Sequence, residues 1–172
     1  MKNISTVLVL FLGLMVHSQN NTTFSLLDSK QTGVTFNNEI VDSKDQNILI
    51  YSNFYGGAGV GVGDFNNDGL VDLYFAGNLV GDKLYLNLGN FKFKDVTASA
   101  GVDLDDSWST GVTVADVNAD GLLDIYVTKE LYDHQPDRRK NKLYINKGNF
   151  SFQLFQYFDS FIKAPYFCKE TD

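Results

Sequence analysis

Cysteine is almost missing from this 172-residue chain: Cys168 stands alone, so no disulfide can form within it. Histidine is nearly as scarce, being present only at His17 and His134, and no Ser-His-Asp or Cys-His arrangement can be assembled around either. Basic charge is also in deficit, with 14 Lys and Arg against 21 Asp and Glu and a formal net charge of −7. Such a balance offers no positive stripe to follow a phosphate backbone, so nucleic acid is not an expected partner. The one basic cluster, Arg138, Arg139, Lys140 and Lys142, lies beside Asp133 and Asp137 and reads as a solvated loop. No apolar run reaches the roughly 20 residues a transmembrane helix needs. The longest, residues 4–16, follows Lys2 and precedes Val16-His17-Ser18, the layout of an export signal cut near Ser18 or Gln19. No cysteine follows directly, so a lipid anchor is not expected, and the chain reads as secreted, periplasmic or cell-surface.

What is present is globular. Hydrophobic residues make up 44% and aromatics 14%, enough apolar mass for a core. Two nine-residue stretches dominate: Asp64-Phe65-Asn66-Asn67-Asp68-Gly69-Leu70-Val71-Asp72 and Asp116-Val117-Asn118-Ala119-Asp120-Gly121-Leu122-Leu123-Asp124. Both read D-x-N-x-D-G-x-x-D. Side-chain oxygens fall at positions 1, 3, 5 and 9, and position 7 can offer its carbonyl. Each loop thus gathers five oxygen donors suited to a hard cation, with calcium the natural candidate. The expected ligands are Asp64, Asn66, Asp68, Leu70 (carbonyl) and Asp72, and Asp116, Asn118, Asp120, Leu122 (carbonyl) and Asp124. The bland reading is a pair of acidic β-turns, since Asp, Asn and Gly are ordinary turn residues. An EF-hand needs an acidic residue at position 12, where Phe75 and Val127 stand.

The loops belong to an internal repeat. Aligning Asp64 with Asp116 also matches Asn66, Asp68, Gly69, Asp72 and Tyr74 with Asn118, Asp120, Gly121, Asp124 and Tyr126. Further on, Leu84-Tyr85-Leu86-Asn87-Leu88-Gly89-Asn90-Phe91 matches Leu143-Tyr144-Ile145-Asn146-Lys147-Gly148-Asn149-Phe150, so the second copy carries an insertion at 129–141. Each copy divides into four short strands, at 59–64, 72–77, 83–87 and 92–96, and at 111–116, 124–128, 142–146 and 151–155. Helical periodicity is absent. Asn-Leu-Gly-Asn and Asn-Lys-Gly-Asn are hairpin turns. Gly59, Gly61 and Gly63, alternating with valine, suit a strand that neighbours approach closely. A phosphate loop is excluded because no helix pattern follows the glycines. Upstream, 24–27, 34–36 and 46–54 are candidate strands. Four strands per copy, repeated at about 50 residues, is the signature of a propeller blade.

G-V-x-V-x-D-F-N-N-D-G-L-x-D-L-Y, followed by K-L-Y-x-N-x-G-N-F-x-F and D-V-T-x-x-A-G-V, resembles the FG-GAP/VCBS repeats of bacterial extracellular proteins. It is also similar to the integrin α-subunit propeller and the cartilage acidic protein group, where such repeats often precede an ASPIC/UnbV domain. The resemblance covers about residues 33–152 and implies an all-β fold of β-propeller blades, with calcium bound in the loop joining two strands of a blade. The Phe-Gly-x-Gly-Ala-Pro string itself survives only as Tyr55-Gly56-Gly57-Ala58-Gly59, without the proline. Two blades fall short of the about seven the resemblance implies, so further blades, in cis or in trans, are expected beside them, with this chain the N-terminal piece.

The expected organisation is therefore a signal peptide (1–18), a lead-in segment (19–54), repeat 1 (55–104), repeat 2 (105–156) and a C-terminal tail (157–172). The expected function is an exported module, stabilised by two structural Ca2+ ions, for protein or glycan binding and adhesion. No catalytic residue is nominated: His134, Cys168 and the pair Asp105 and Asp106 read as loop residues. An extracellular hydrolase or polysaccharide-processing protein with its catalytic residues elsewhere is the alternative. Trp108, Tyr55, Tyr74, Tyr126 and Tyr132 would suit carbohydrate stacking, but propeller aromatics more often fill the space between blades.

Overall fold

The computed structural model describes residues 24–102, 107–131 and 136–158, with the backbone alone at 136–137 and 156–158. Two four-stranded antiparallel sheets account for nearly all regular structure. The first contains β1 (Val60–Gly63), β2 (Asp72–Phe75), β3 (Lys83–Asn87) and β4 (Phe93–Asp95), and the second β5 (Trp108–Ala115), β6 (Asp124–Glu130), β7 (Asn141–Asn146) and β8 (Phe152–Phe158). Each sheet is a simple meander, its strands hydrogen-bonded in chain order. This is the architecture of consecutive propeller blades. One helical turn, α1 (Ser29–Thr32), and a 3-10 turn at Pro136–Arg139 are the helical elements among the described residues.

The third and fourth strands of each sheet are joined as the sequence suggests. In the first turn Leu88 N–H donates to the Lys92 carbonyl (2.7 Å) and Lys92 N–H to the Gly89 carbonyl (3.0 Å). The turn is more twisted than its composition suggests, because after Gly89 and Asn90 the bulky Phe91 also takes a positive φ of 56°. Gly148, Asn149 and Phe150 repeat this run in the second blade.

The blades pack face to face. Phe65, Tyr74 and Leu84 of the first, Ile125, Val127, Tyr144 and Phe152 of the second, and Val96, Ala100 and Val102 of the connection form one buried cluster. Fully burying each such apolar side chain stabilises the fold by about 1.5–3 kcal/mol. The glycines of β1 allow the approach. A Cβ on Gly61 would lie 2.7 Å from Val112 Cγ1 and 2.9 Å from Val114 Cγ2, and one on Gly63 would lie 2.8 Å from Leu123 Cδ1. Gly59 completes the seam by donating its N–H to the Thr110 carbonyl (2.6 Å).

A buried polar cluster also spans the blades. Asp82 of the first accepts from the Tyr74 hydroxyl (2.8 Å), Gly77 N–H (2.9 Å) and the Ser109 hydroxyl (2.7 Å). Lys129 Nζ donates to Ser109 Oγ (2.6 Å) and pairs with Asp82 at 3.5 Å. Both charged side chains are about 1% exposed, and breaking such a pair by removing one partner costs about 3–5 kcal/mol. Lys129 therefore belongs to β6, paired with Ser109, rather than to the inserted loop. Lys142 likewise is buried in β7 rather than solvated.

The lead-in segment departs from the strands expected there. Residues 46–54 form turns because Asn47 satisfies the local backbone itself: its Nδ2 donates to the Ser43 carbonyl (2.8 Å) and its Oδ1 accepts from Leu49 N–H (2.9 Å). Tyr51 and Phe54 then pack on Trp108, with ring centroids 5.4 and 5.3 Å away. Residues 24–27 are irregular, with Phe24 and Leu26 in solvent. Residues 34–36 join no ladder: Thr35 N–H donates to the Tyr85 hydroxyl (3.2 Å), and Phe36 stacks on Phe75 at 5.1 Å. The expectations for residues 1–18, Asp105, Asp106, Tyr132, His134 and Cys168 lie outside the described residues.

Gly61→Ala places a methyl group against two branched valine side chains that cannot swing away. It should lower the unfolding free energy by about 1–3 kcal/mol in denaturant titration, as overpacking does; unchanged stability would contradict the close blade contact.

Candidate metal centre

Both aspartate loops join the first and second strands of their blade, and they share one hydrogen-bond pattern. In the first, Asp64 accepts from Asp68 N–H (3.0 Å) and Gly69 N–H (2.7 Å). Asn66 Oδ1 accepts from Asp68 N–H (3.2 Å), and Asp68 Oδ1 from Leu70 N–H (2.8 Å). Asn66 Nδ2 donates to Asp68 Oδ2 at 2.9 Å. Asp72, wholly buried at the start of β2, accepts from Phe65 N–H (3.0 Å) and Asn87 N–H (2.8 Å), tying the loop to β3.

The second loop repeats this arrangement. Asp116 accepts from Asp120 N–H (3.2 Å) and Gly121 N–H (2.8 Å), and Asp120 from Leu122 N–H (2.9 Å). Asn118 Oδ1 accepts from Asp120 N–H (3.1 Å) while its Nδ2 donates to Asp120 Oδ2 (2.9 Å). Asp124 accepts from Val117 N–H (3.0 Å) and Asn146 N–H (2.8 Å).

In each loop the four expected side-chain donors lie within one turn and accept from backbone N–H groups. Leu70 and Leu122 occupy position 7, and their side chains reach toward the β3–β4 and β7–β8 turns, Leu70 at Gly89 and Leu122 at Gly148. Burial pushes the Asp72 carboxyl above its usual range; the N–H groups of Asn87 and Phe65 oppose that shift, and the charges of Asp68 and Asp64 add to it.

Among the described residues, no group of three or more His, Cys, Asp or Glu side chains is drawn together tightly enough to hold a metal ion. The carboxylates are instead turned toward the loop's own N–H groups. The donor chemistry nevertheless fits a hard dication, being oxygen throughout, with three carboxylates and an amide in each loop.

Sequence reasoning missed Asn87 and Asn146, whose backbone N–H groups hold the position-9 aspartates. The signal was available, because the two asparagines fall at matching places in the repeat. It also missed that position 4 takes a left-handed conformation, with φ 59° at both Asn67 and Ala119. Position 6 is left-handed too, as Gly69 (85°) and Gly121 (86°) permit. Of the aromatic residues, Tyr74 and Trp108 are buried, whereas Tyr55 is exposed and donates to Asp42.

Within these two meander blades, each with the same aspartate turn between its first and second strands, residues 64–127 match the family described as FG-GAP-like repeat. That segment starts at the first aspartate of loop 1 and ends in β6. Over 74 residues the chain is 38% identical to cartilage acidic protein 1 of Homo sapiens and to cartilage acidic protein 1 of Mus musculus. The matched stretch is 43% of this chain but only 11% and 12% of those two proteins, so the chain spans a small part of the relatives it matches.

Ala119 bears a left-handed backbone without the polar side chain that makes this tolerable at Asn67. Ala119→Gly should raise stability by about 0.5–1 kcal/mol, read as a higher denaturant midpoint at unchanged slope; a lower midpoint would contradict the strained turn.

Proposed function

We propose that the chain is part of an exported, calcium-stabilised β-propeller module that binds a protein or glycan partner. The observation that carries the reading is the duplication of the loop: the same four side-chain donors, in the same bonding pattern, at the same place in two blades. Asp64, Asn66, Asp68, Asp72 and the Leu70 carbonyl would hold one ion, and Asp116, Asn118, Asp120, Asp124 and the Leu122 carbonyl the other. Bound calcium supplies positive charge against three neighbouring carboxylates. Its role is structural, bracing the turn from which the second strand departs. The resemblance to extracellular FG-GAP proteins, together with the apolar run at 4–16, supports export. Among the described residues no helix is long and apolar enough to cross a membrane.

Recognition belongs on surfaces other than the loops. Val60 and Val62 of β1, both more than half exposed, suit contact with further blades, in cis or in trans.

Thermal melting of the full chain in calcium and in chelator tests the metal. At calcium about 100-fold above Kd the stabilisation is about 2.7 kcal/mol, which should raise Tm by about 4 °C or more in a chain of this size. Asp68→Ala and Asp120→Ala should each reduce that rise. Identical melting in calcium and chelator would sink the calcium reading.

A further inference from the structure

We propose that the two aspartate loops form one coupled unit, with Asn146 and Asn67 as the positioning residues that link them. Asn146 ends β7 and is wholly buried. Its Nδ2 donates both to the Phe65 carbonyl in the first loop (2.8 Å) and to the Leu123 carbonyl in the second (3.0 Å). Its backbone N–H donates to Asp124, and its Oδ1 accepts from Gly148 N–H at 2.9 Å. Because Phe65 N–H donates to Asp72, residues Phe65 and Asn146, each bonded through two of its polar groups, connect Asp72 with Asp124. These are the position-9 aspartates of the two loops.

A second link lies on the exposed side. Asn67 Nδ2 donates to the Gly121 carbonyl at 3.2 Å. Asn67 stands between Asn66 and Asp68, and Gly121 between Asp120 and Leu122, so each end of this bond lies amid the donors of its loop. Ordering the second loop fixes the Gly121 carbonyl and gives Asn67 its acceptor, and ordering the first fixes Asn67. Each loop thereby lowers the entropic cost of ordering the other. For calcium, and resting on the reading above, this means that filling one loop raises the affinity of the other by the same factor in both directions.

Calorimetric titration of the full chain with calcium alone, in the wild type and in Asp120→Ala, each with and without Asn67→Gly, tests this. Glycine tolerates the positive φ at residue 67 and removes the side chain that carries the amide. Asp120→Ala should weaken the remaining first-loop site by about fivefold or more, and Asn67→Gly should shrink that penalty. An unchanged first-loop affinity, or a penalty undiminished by Asn67→Gly, overturns the proposal. A wild-type chain that binds no calcium would instead defeat the calcium reading, and the coupling is then read in calcium-free buffer by amide exchange. There Asp120→Ala should speed exchange at Phe65 and Gly69 by about threefold or more if the loops are coupled, and unchanged exchange at both would overturn it.

Discussion

A buried carboxylate that bonds two separate stretches of backbone is the interaction on which each blade depends. Asp72 and Asp124 both accept one N–H from within their own loop and one from the third strand of the sheet. A buried polar group left without such partners is costly, and here both carboxylates are satisfied by backbone donors. The arrangement fixes where the second strand begins, and the register of the meander follows from there. Among the described residues no buried side-chain nitrogen or oxygen lacks a partner, so this polar scaffold is fully satisfied.

The two copies are alike in topology but unlike on their faces, and the interface uses the difference. The first strand of blade one offers Gly61 and Gly63 where blade two has Thr113 and Ala115. Valines from blade two fill the space the missing side chains leave. Thr113 and Ala115 stand on an exposed stretch of β5, so a further blade meeting that side would face a seam of different shape. The Asp82–Lys129 pair adds direction to the contact, since its anion comes from one blade and its cation from the other.

Much of this was legible in the sequence because turns and repeats are local signals. All eight strands fall within a few residues of their expected places. The lead-in segment was misread for an equally local reason. The apolar residues of 46–54 suggested a strand, yet Asn47 diverts the backbone into turns, and Tyr51 and Phe54 serve Trp108 instead. Lys129 was illegible in another way, because its anion lies 47 residues upstream at Asp82 (129 minus 82) and only the blade contact brings them together. Asn146 looked like an ordinary hairpin residue, and its reach to Phe65 depends on the same contact.

The central proposal is that each aspartate turn is a cation site whose ion braces its blade. Native mass spectrometry of the full chain with calcium tests it most directly by counting ions. Two calcium ions per chain, falling to one when either Asp64 or Asp116 is replaced by alanine, is the result predicted. A chain that carries none, while remaining folded, would contradict it and leave the loops as carboxylate-capped turns.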